Sequence, residues 1–510
     1  MLLLLIAVSL LAVPSAPDTL VVCPSEFREA LAPWEAYRRS QGHEILVVDV
    51  PTDAAQLQAT IRRVAERGGL KSLLLIGDVP SNGPENEQAQ SRAAIPTNYL
   101  VAQVNKRWGS EATIASDSPY ADTDADGTPD LAFGRIPADS AAELATAVQK
   151  ILRYEQGTDR GPWERQLNIV AGVGGFGVVA DTLVEAAGRQ VIHATVPECY
   201  FISQTIASPT SPHCPPPGQF NAHVCAQLNA GSLAWIYLGH GLPMELDHVR
   251  TAHGEEPILS VGDVPHLHCG AQSPLAVLIA CYTGAFDAHR DCLAEELLLA
   301  PGGPVAVIAA TRITMPYGNT VLGYELLRAG FNDRPPELGE VLRLAKSRTL
   351  QMSTADTLLR TSLDAIAQGI SPPPVDLAEE RREHVAMYHL LGDPLLRWRR
   401  PRELRVSVPK EGVVGEPLSL EIQSEVAGNC LVELLSGGDS SVEPTAKETI
   451  AIETGKTQLA LNTTPSAAGS YTVRAFVSGR EDSAAGSTRF RVCKATERIS
   501  RASGSDSTKK

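Results

Sequence analysis

A series of short apolar runs constrains this chain more than any other feature. They are TLVVC from Thr19, EILVVDV from Glu44, SLLLIGDVP from Ser72, LAFGRI from Leu131, LNIVAGV from Leu167, AWIYLGHG from Ala234, LAVLIAC from Leu275 and PVAVIAAT from Pro304. Each is rich in apolar residues and too short for a buried helix. Between several of them lie amphipathic stretches: PSEFREALAPWEAYRRSQG to Gly42, AAQLQATIRRVAERGG to Gly69, and Ser140–Gln156. Continuous apolar strands divided by amphipathic helices predict a parallel sheet buried on both faces, an α/β fold.

A chain of 510 residues is expected to hold two to four domains. The first β/α subdomain is expected over 17–160, with a polar loop from Ser81 to Ala94, a further run PTNYLVA, and an aspartate-rich loop between Asp117 and Asp130. A second α/β unit, 161–400, contains predicted helices at Asp181–Gln190, Leu293–Leu299, Tyr317–Ala329, Glu337–Gln368 and Glu379–Leu391, and closes at Gly392-Asp393-Pro394. From 401 to 494 the runs LRVSV, PLSLEIQ, CLVELL, KETIAIE, TQLALN and YTVRAFVS alternate at regular spacing, which predicts an immunoglobulin-like β-sandwich. The Ser/Lys-rich tail, 495–510, is expected to be disordered.

Residues 1–16 have an apolar stretch, Leu2–Val13, followed by small residues, so they read as a signal peptide despite the missing basic start. The expected location is secreted, periplasmic or cell-surface. No later run approaches the roughly 20 apolar residues of a membrane span. A net charge of −15 argues against non-specific nucleic-acid binding. Nine cysteines, an odd number, leave at least one thiol unpaired in an exported protein. A disulfide is expected between two of Cys199, Cys214 and Cys225, and Cys292 is either packed or paired with Cys269.

Two of the apolar runs end on chemistry. One stops at Gly239-His240-Gly241, the other at Cys281, with Gly284 shortly after. In an open parallel sheet, ligands bind beyond the carboxyl ends of the strands. If these strands are neighbours, a thiol and an imidazole enter one crevice, as a cysteine nucleophile and its partner require. Taken singly, a strand-end Cys is usually core and a His beside glycines is usually a turn. The pair at two strand ends points to a site.

YLGHG, IACYTGAF, CLAEELLL and GGPVAVIAAT, in that order, resemble the gingipain family of cysteine peptidases, which have a caspase-like fold. The segments LLLIGDVP, SPYADTDADGTPDLAFGRIPA with KILRYE, and YHLLGDPLL are similar to further landmarks of that family, over roughly Thr19 to Arg397. The resemblance implies a caspase-like catalytic domain preceded by a β/α subdomain and followed by an immunoglobulin-like domain. It implies peptide-bond hydrolysis through a thioacyl-enzyme on Cys281, with His240 as acid/base and the N–H groups of Gly241 and Cys281 facing the oxyanion. Protein or peptide substrates follow. The chain departs from the family where a glutamate before a Gly-Gly pair supports the histidine; here Val173 precedes Gly174-Gly175. Asp117 or Asp181 is a candidate replacement, and Asp181 a candidate specificity acid.

Other motifs compete for attention. Gly172 to Gly177 fits the dinucleotide fingerprint G-x-G-x-x-G, but it does not follow the first strand and no acidic strand end follows at the right distance. No organic cofactor is expected. Asp122, Asp124, Asp126, Thr128 and Asp130 offer alternating oxygen ligands around Gly127, which suits a structural Ca²⁺; a solvated acidic turn is the plain alternative. His266-Leu267-His268-Cys269 is too tight for a closed metal site. The chain reads as an exported cysteine endopeptidase. The alternatives are a catalytically weak or dead relative acting as a surface binding protein, and a metal-dependent hydrolase using the His cluster.

Overall fold

A computed structural model describes residues 16–80, 94–174, 188–252, 254–351, 357–371, 373–437, 444–461 and 464–494. Almost all of the expected leader, most of the polar loop 81–94, Asp181 and the tail 495–510 lie outside the described residues. The eight apolar runs, joined by Phe201–Ile206 and Tyr388–Leu391, form one ten-stranded sheet. Its strands are β1 (Thr19–Val22), β2 (Ile45–Val48), β3 (Ser72–Ile76), β4 (Ala132–Ile136), β5 (Gln166–Ala171), β6 (Phe201–Ile206), β7 (Ala234–Leu238), β8 (Leu275–Ile279), β9 (Ala306–Ala310) and β10 (Tyr388–Leu391). Their order is β2-β1-β3-β4-β10-β9-β8-β7-β5-β6.

The two expected units therefore share one sheet of two parallel halves, and β10 of the second unit completes the first half. Strands β2, β1, β3, β4 and β10 are mutually parallel, as are β9, β8, β7, β5 and β6. The halves meet at an antiparallel seam, where β9 pairs with β10 and Ala310 lies opposite Tyr388. The seam corrects one expectation: Glu379–Leu391 is helical only over Leu377–Met387, and Tyr388–Leu391 is a strand. Its apolar run is buried on both faces, which a central strand requires and a helix of that amphipathic pattern does not.

The apolar runs lack polar alternation because both faces of the sheet are covered. Leu275, Val277 and Ile279 enter the core on one face with Leu74, Ile136, Ile169 and Ile308; Ala276, Leu278 and Ala280 enter the other with Trp235, Tyr237, Val307 and Leu391. The covering helices begin where the sequence offers caps: Asp53 accepts from Gln56 N at 2.8 Å and Ser140 from Glu143 N at 3.3 Å. Beside the sheet, Asn98–Val101 and Thr113–Ser116 pair as an antiparallel hairpin.

After residue 401 the chain forms separate sheets. Leu418–Ser424 and Gly455–Leu461 belong to a three-stranded one; Gly428–Ser436, Gly469–Ser478 and Ser483–Cys493 belong to a six-stranded one. They share an apolar core. This unit docks on the main sheet: Phe476 and Ala485 join the main core, and buried Glu433 accepts from Arg165 at 2.8 Å and from Arg474 at 2.6 Å. All nine cysteines are free, so the expected disulfides are not formed. Cys292 instead caps the helix Leu293–Leu299, with Glu295 accepting from its N–H at 2.8 Å.

Asp393 of the closing Gly-Asp-Pro turn ties the first half of the chain to the last. It accepts from Trp34 and Arg38 of the helix Arg28–Ser40, and Arg38 also pairs with Glu155 at 2.8 Å. The Arg38 and Asp393 side chains are fully buried. Removing one member of such a pair strands a charge away from water. Asp393→Ala is expected to lower unfolding free energy by about 3–5 kcal/mol in urea titration. Glu35→Ala, which breaks the half-exposed pair with Arg39, is expected to cost no more than about 0.5 kcal/mol.

Candidate active site

β7 and β8 are adjacent and parallel, with Leu238 opposite Ile279. His240 and Cys281 each stand two residues further on, so the register brings both to the same level beyond the strand ends. Gly239 N donates to Ile279 O at 3.3 Å and holds the two chains together past the last ladder pair. The loops then press on each other. A Cβ at Gly241 would lie 2.7 Å from Thr283 Cγ2 and 2.8 Å from Cys281 O, and one at Gly239 would lie 2.5 Å from the Tyr237 hydroxyl. Glycine is thus a packing requirement on both sides of His240, at Gly241 for the contact with the Cys281 loop and at Gly239 for the contact with Tyr237 and Gly172.

Cys281 is half-buried, and its sulfur accepts from Thr314 N at 3.3 Å. The chain turns sharply after it: Tyr282 has φ +58°, a left-handed conformation that non-glycine residues seldom adopt. The turn is pinned by Tyr282 N donating to Arg312 O at 3.1 Å and Gly284 N to Ala310 O at 2.9 Å. Arg312 in turn grips Asp287 through both guanidinium nitrogens, at 2.8 and 2.6 Å. This turn aims the cysteine away from the core although its strand is fully apolar.

His240 is exposed, and its carbonyl accepts from the Tyr237 hydroxyl at 2.8 Å and from Asp247 N at 3.2 Å. A tight hairpin, Gly241–Leu242 with Glu245–Leu246, returns the chain so that Asp247 sits beside the histidine turn. The Asp247 carboxylate accepts from Val173 N at 2.9 Å and from His248 N at 2.9 Å. Val173 is the residue standing where the family glutamate is expected, so a carboxylate reaches this place from a different loop. Sequence reasoning missed Asp247. The signal was available: a two-residue turn after Gly-His-Gly returns the chain, and Asp247 is the first acid past the returning strand.

The other expected acids stand elsewhere. Asp117 is buried, and its oxygens are taken by Arg135, at 2.8 and 3.0 Å, and by Thr97, at 2.8 Å. Its carboxylate is committed to that buried ion pair. Asp181 lies outside the described residues, as do Gly175 and Gly177 of the glycine-rich loop. In the aspartate loop, Asp122, Asp124 and Asp130 bring carboxylate oxygens within 4.8 Å of one another. Asp122 accepts from Gly127 N at 2.9 Å, Asp126 accepts from Thr128 N at 2.7 Å, and Ala125 and Gly127 take positive φ, which curls the loop around its own acids. Among the described residues no cluster forms around His266, His268 and Cys269.

A thiol and an imidazole that follow two adjacent strands of a mostly parallel sheet are an arrangement that suits cysteine-type peptidases, which are hydrolases. The family model of peptidase family C25 matches residues 12–399, and the chain belongs to that family. Lys-gingipain of Porphyromonas gingivalis is 25% identical over 291 residues, covering 54% of this chain and 14% of the relative. The Lys-gingipain HG66 of the same organism is 24% identical over the same shares. The chain thus spans 14% of the length of these curated relatives. The crystal structure of the Arg-specific proteinase gingipain R matches with a TM-score of 0.53 at 18% identity, covering 94% of this chain and 98% of that one. The complex of RgpB pro- and mature domains from Porphyromonas gingivalis matches with a TM-score of 0.53 at 18% identity, covering 93% and 100%. The gingipain resemblance and the fold class read from the sequence are both borne out.

Burial pushes the Cys23, Cys269 and Cys430 thiols up to about 12 and those of Cys199 and Cys225 up to about 11. Iodoacetamide on the native protein at neutral pH is therefore expected to label Cys281 and half-buried Cys214, with those five thiols labelled only after unfolding. Peptide mass spectrometry of native and urea-treated samples reads this directly.

Proposed function

We propose that the chain is an exported cysteine endopeptidase in which Cys281 and His240 form the catalytic dyad. The observation that supports this best is the β7–β8 register, which sets both residues at one level of the sheet's edge. The Cys281 sulfur attacks the scissile carbonyl carbon, and its proton passes to His240. The carbonyl oxygen becomes an oxyanion, with the N–H groups of Gly241 and Cys281 as its donors. His240 then gives the proton to the leaving amine as the C–N bond breaks, leaving a thioester. Water, deprotonated by His240, hydrolyses the thioester and restores the thiol.

In this reading Asp247 takes the orienting role that the family gives to a glutamate. Its carboxylate, held by Val173 N and His248 N, supports that assignment. The substrates are proteins or peptides. Export is consistent with the apolar N-terminal run, and among the described residues no helix is long and apolar enough to cross a membrane. The aspartate loop is read as a structural Ca²⁺ site, because clustered carboxylates repel unless a cation neutralises them. Asp122, Asp124 and Asp130 supply carboxylate oxygens, with Asp126 and Thr128 completing the loop. The C-terminal two-sheet unit is read as an immunoglobulin-like module fixed to the catalytic domain.

The alternative, a binding protein without catalysis, predicts that Cys281→Ala changes nothing measurable. The peptidase reading predicts complete loss of turnover of a fluorogenic peptide library in Cys281→Ala. For His240→Ala it predicts a fall of at least about a hundredfold, and for Asp247→Asn a similar fall concentrated in kcat. Calcium in millimolar excess is expected to raise the melting temperature of the protein, and Asp124→Asn with Asp130→Asn to abolish that rise. An equal response in that double variant would remove the loop from the calcium account.

A further inference from the structure

The Cys281 sulfur meets the segment after β9 at Thr314, which offers both its N–H, at 3.3 Å, and its Oγ1, at 3.6 Å. A hydroxyl beside a thiol can accept the thiol proton or donate its own. The first favours the neutral thiol and the second favours the thiolate. The groups behind Thr314 decide between them.

Tyr388, fully buried on β10, donates its hydroxyl proton to Asn319 Oδ1 at 2.7 Å. This contact fixes the amide, whose Nδ2 then donates to Thr314 Oγ1 at 2.9 Å. Having accepted that bond, Oγ1 has its own proton to give, to the sulfur or to the Tyr388 oxygen that also neighbours it, and a charged sulfur is the stronger acceptor of the two. Tyr388 is a dependable first donor, because burial, followed by the nearby Cys281 charge, holds its phenol well above the usual value. The neutral thiol has a weaker option, a long contact to Thr314 O at 3.8 Å.

The geometry points to a polarised hydrogen-bond chain, Tyr388 to Asn319 to Thr314, that ends in a two-donor seat for the Cys281 thiolate, formed by the N–H and O–H of Thr314. Thr314 touches the reacting sulfur and is a catalytic residue in this sense. Asn319 and Tyr388 are positioning residues that set the direction of its hydroxyl. The chain crosses the seam of the sheet, since Tyr388 lies on β10 and Cys281 follows β8. The phenols of Tyr237 and Tyr388 lie near the sulfur, His384 stacks on Tyr388 and accepts from Met315 N, His240 follows the neighbouring strand, and the Arg312–Asp287 pair flanks the turn. The two phenols are neutral there, so they add no competing charge.

The inference rests on reading Cys281 as the nucleophile, but its test reads the thiol alone and needs no turnover. The alkylation rate of Cys281 by iodoacetamide is followed by peptide mass spectrometry from about pH 4 to about pH 9, and its midpoint gives the thiol pKa. Thr314→Val keeps the N–H and removes the hydroxyl. It is expected to raise the midpoint by about one unit, a roughly tenfold slower reaction below the wild-type midpoint. Thr314→Ser is expected to restore the wild-type midpoint, and Tyr388→Phe to raise it by a smaller amount. A midpoint unchanged in Thr314→Val would overturn the proposal, whatever happens to the melting temperature. Should Thr314→Val fail to fold, an unchanged midpoint in Tyr388→Phe overturns it equally. Survival of peptide turnover in Cys281→Ala would instead remove the nucleophile assignment and leave the measured midpoints standing.

Discussion

The structure depends on one register: Leu238 opposite Ile279 on two adjacent parallel strands. A slip of one residue would turn each side chain of β7 or β8 to the other face and separate His240 from Cys281. The slip is blocked from both ends. Within the strands, alternate residues fill two different cores, so neither face can be exchanged. Beyond the strands, Gly241 presses on the carbonyl of Cys281 so closely that no side chain fits. Packing energy in the core is thereby converted into placement at the edge.

A second feature is the use made of the chain's return. The segment from Leu377 to Asp393 passes from the helix Leu377–Met387 into the seam strand β10 and supports the loops around the site. His384 Nε2 accepts from Met315 N at 2.9 Å while its Nδ1 faces Glu380 O at 2.7 Å. Burial pushes that imidazole down to about 4, so it stays neutral and able to accept. His389, pushed down to about 3 by burial and the nearby Lys346, accepts from Asp117 N at 2.9 Å in the same way. Tyr388 lies between them, and Asp393 closes the segment on Arg38. Both histidines act as fixed acceptors that anchor neighbouring loops. Their roles contrast with that of His240, which stands exposed at the edge.

Much of this was legible in the sequence because parallel sheets write themselves as unbroken apolar runs. The strands carrying Cys281 and His240 were plain, as was the helix Leu293–Leu299 after Cys281. Several things were not, among them the sheet-edge strand Phe201–Ile206, whose run is broken by polar residues. Tyr388–Leu391 looked like the end of a helix, because nothing local says that four apolar residues will fill the seam of a sheet. Ser483–Cys493, an eleven-residue strand in the C-terminal unit, has small and charged residues where alternation would normally show. Its pairing with Gly469–Ser478 supplies the stability that its composition conceals. Another was the carboxylate beside the histidine turn. Searching for an acid at the glutamate's place in the sequence found Val173, whereas in space Asp247 reaches Val173 through a hairpin. Proximity across loops is set by the fold and leaves only a faint trace in spacing.

The central claim is that Cys281 bonds covalently to the acyl half of a cleaved peptide. It is tested most directly by quenching the protein in acid during turnover of a peptide ester and mapping the acyl adduct by mass spectrometry. The account predicts a thioester on the peptide containing Cys281, removed by hydroxylamine. Turnover with no adduct there, or with the acyl group on another residue, would contradict it.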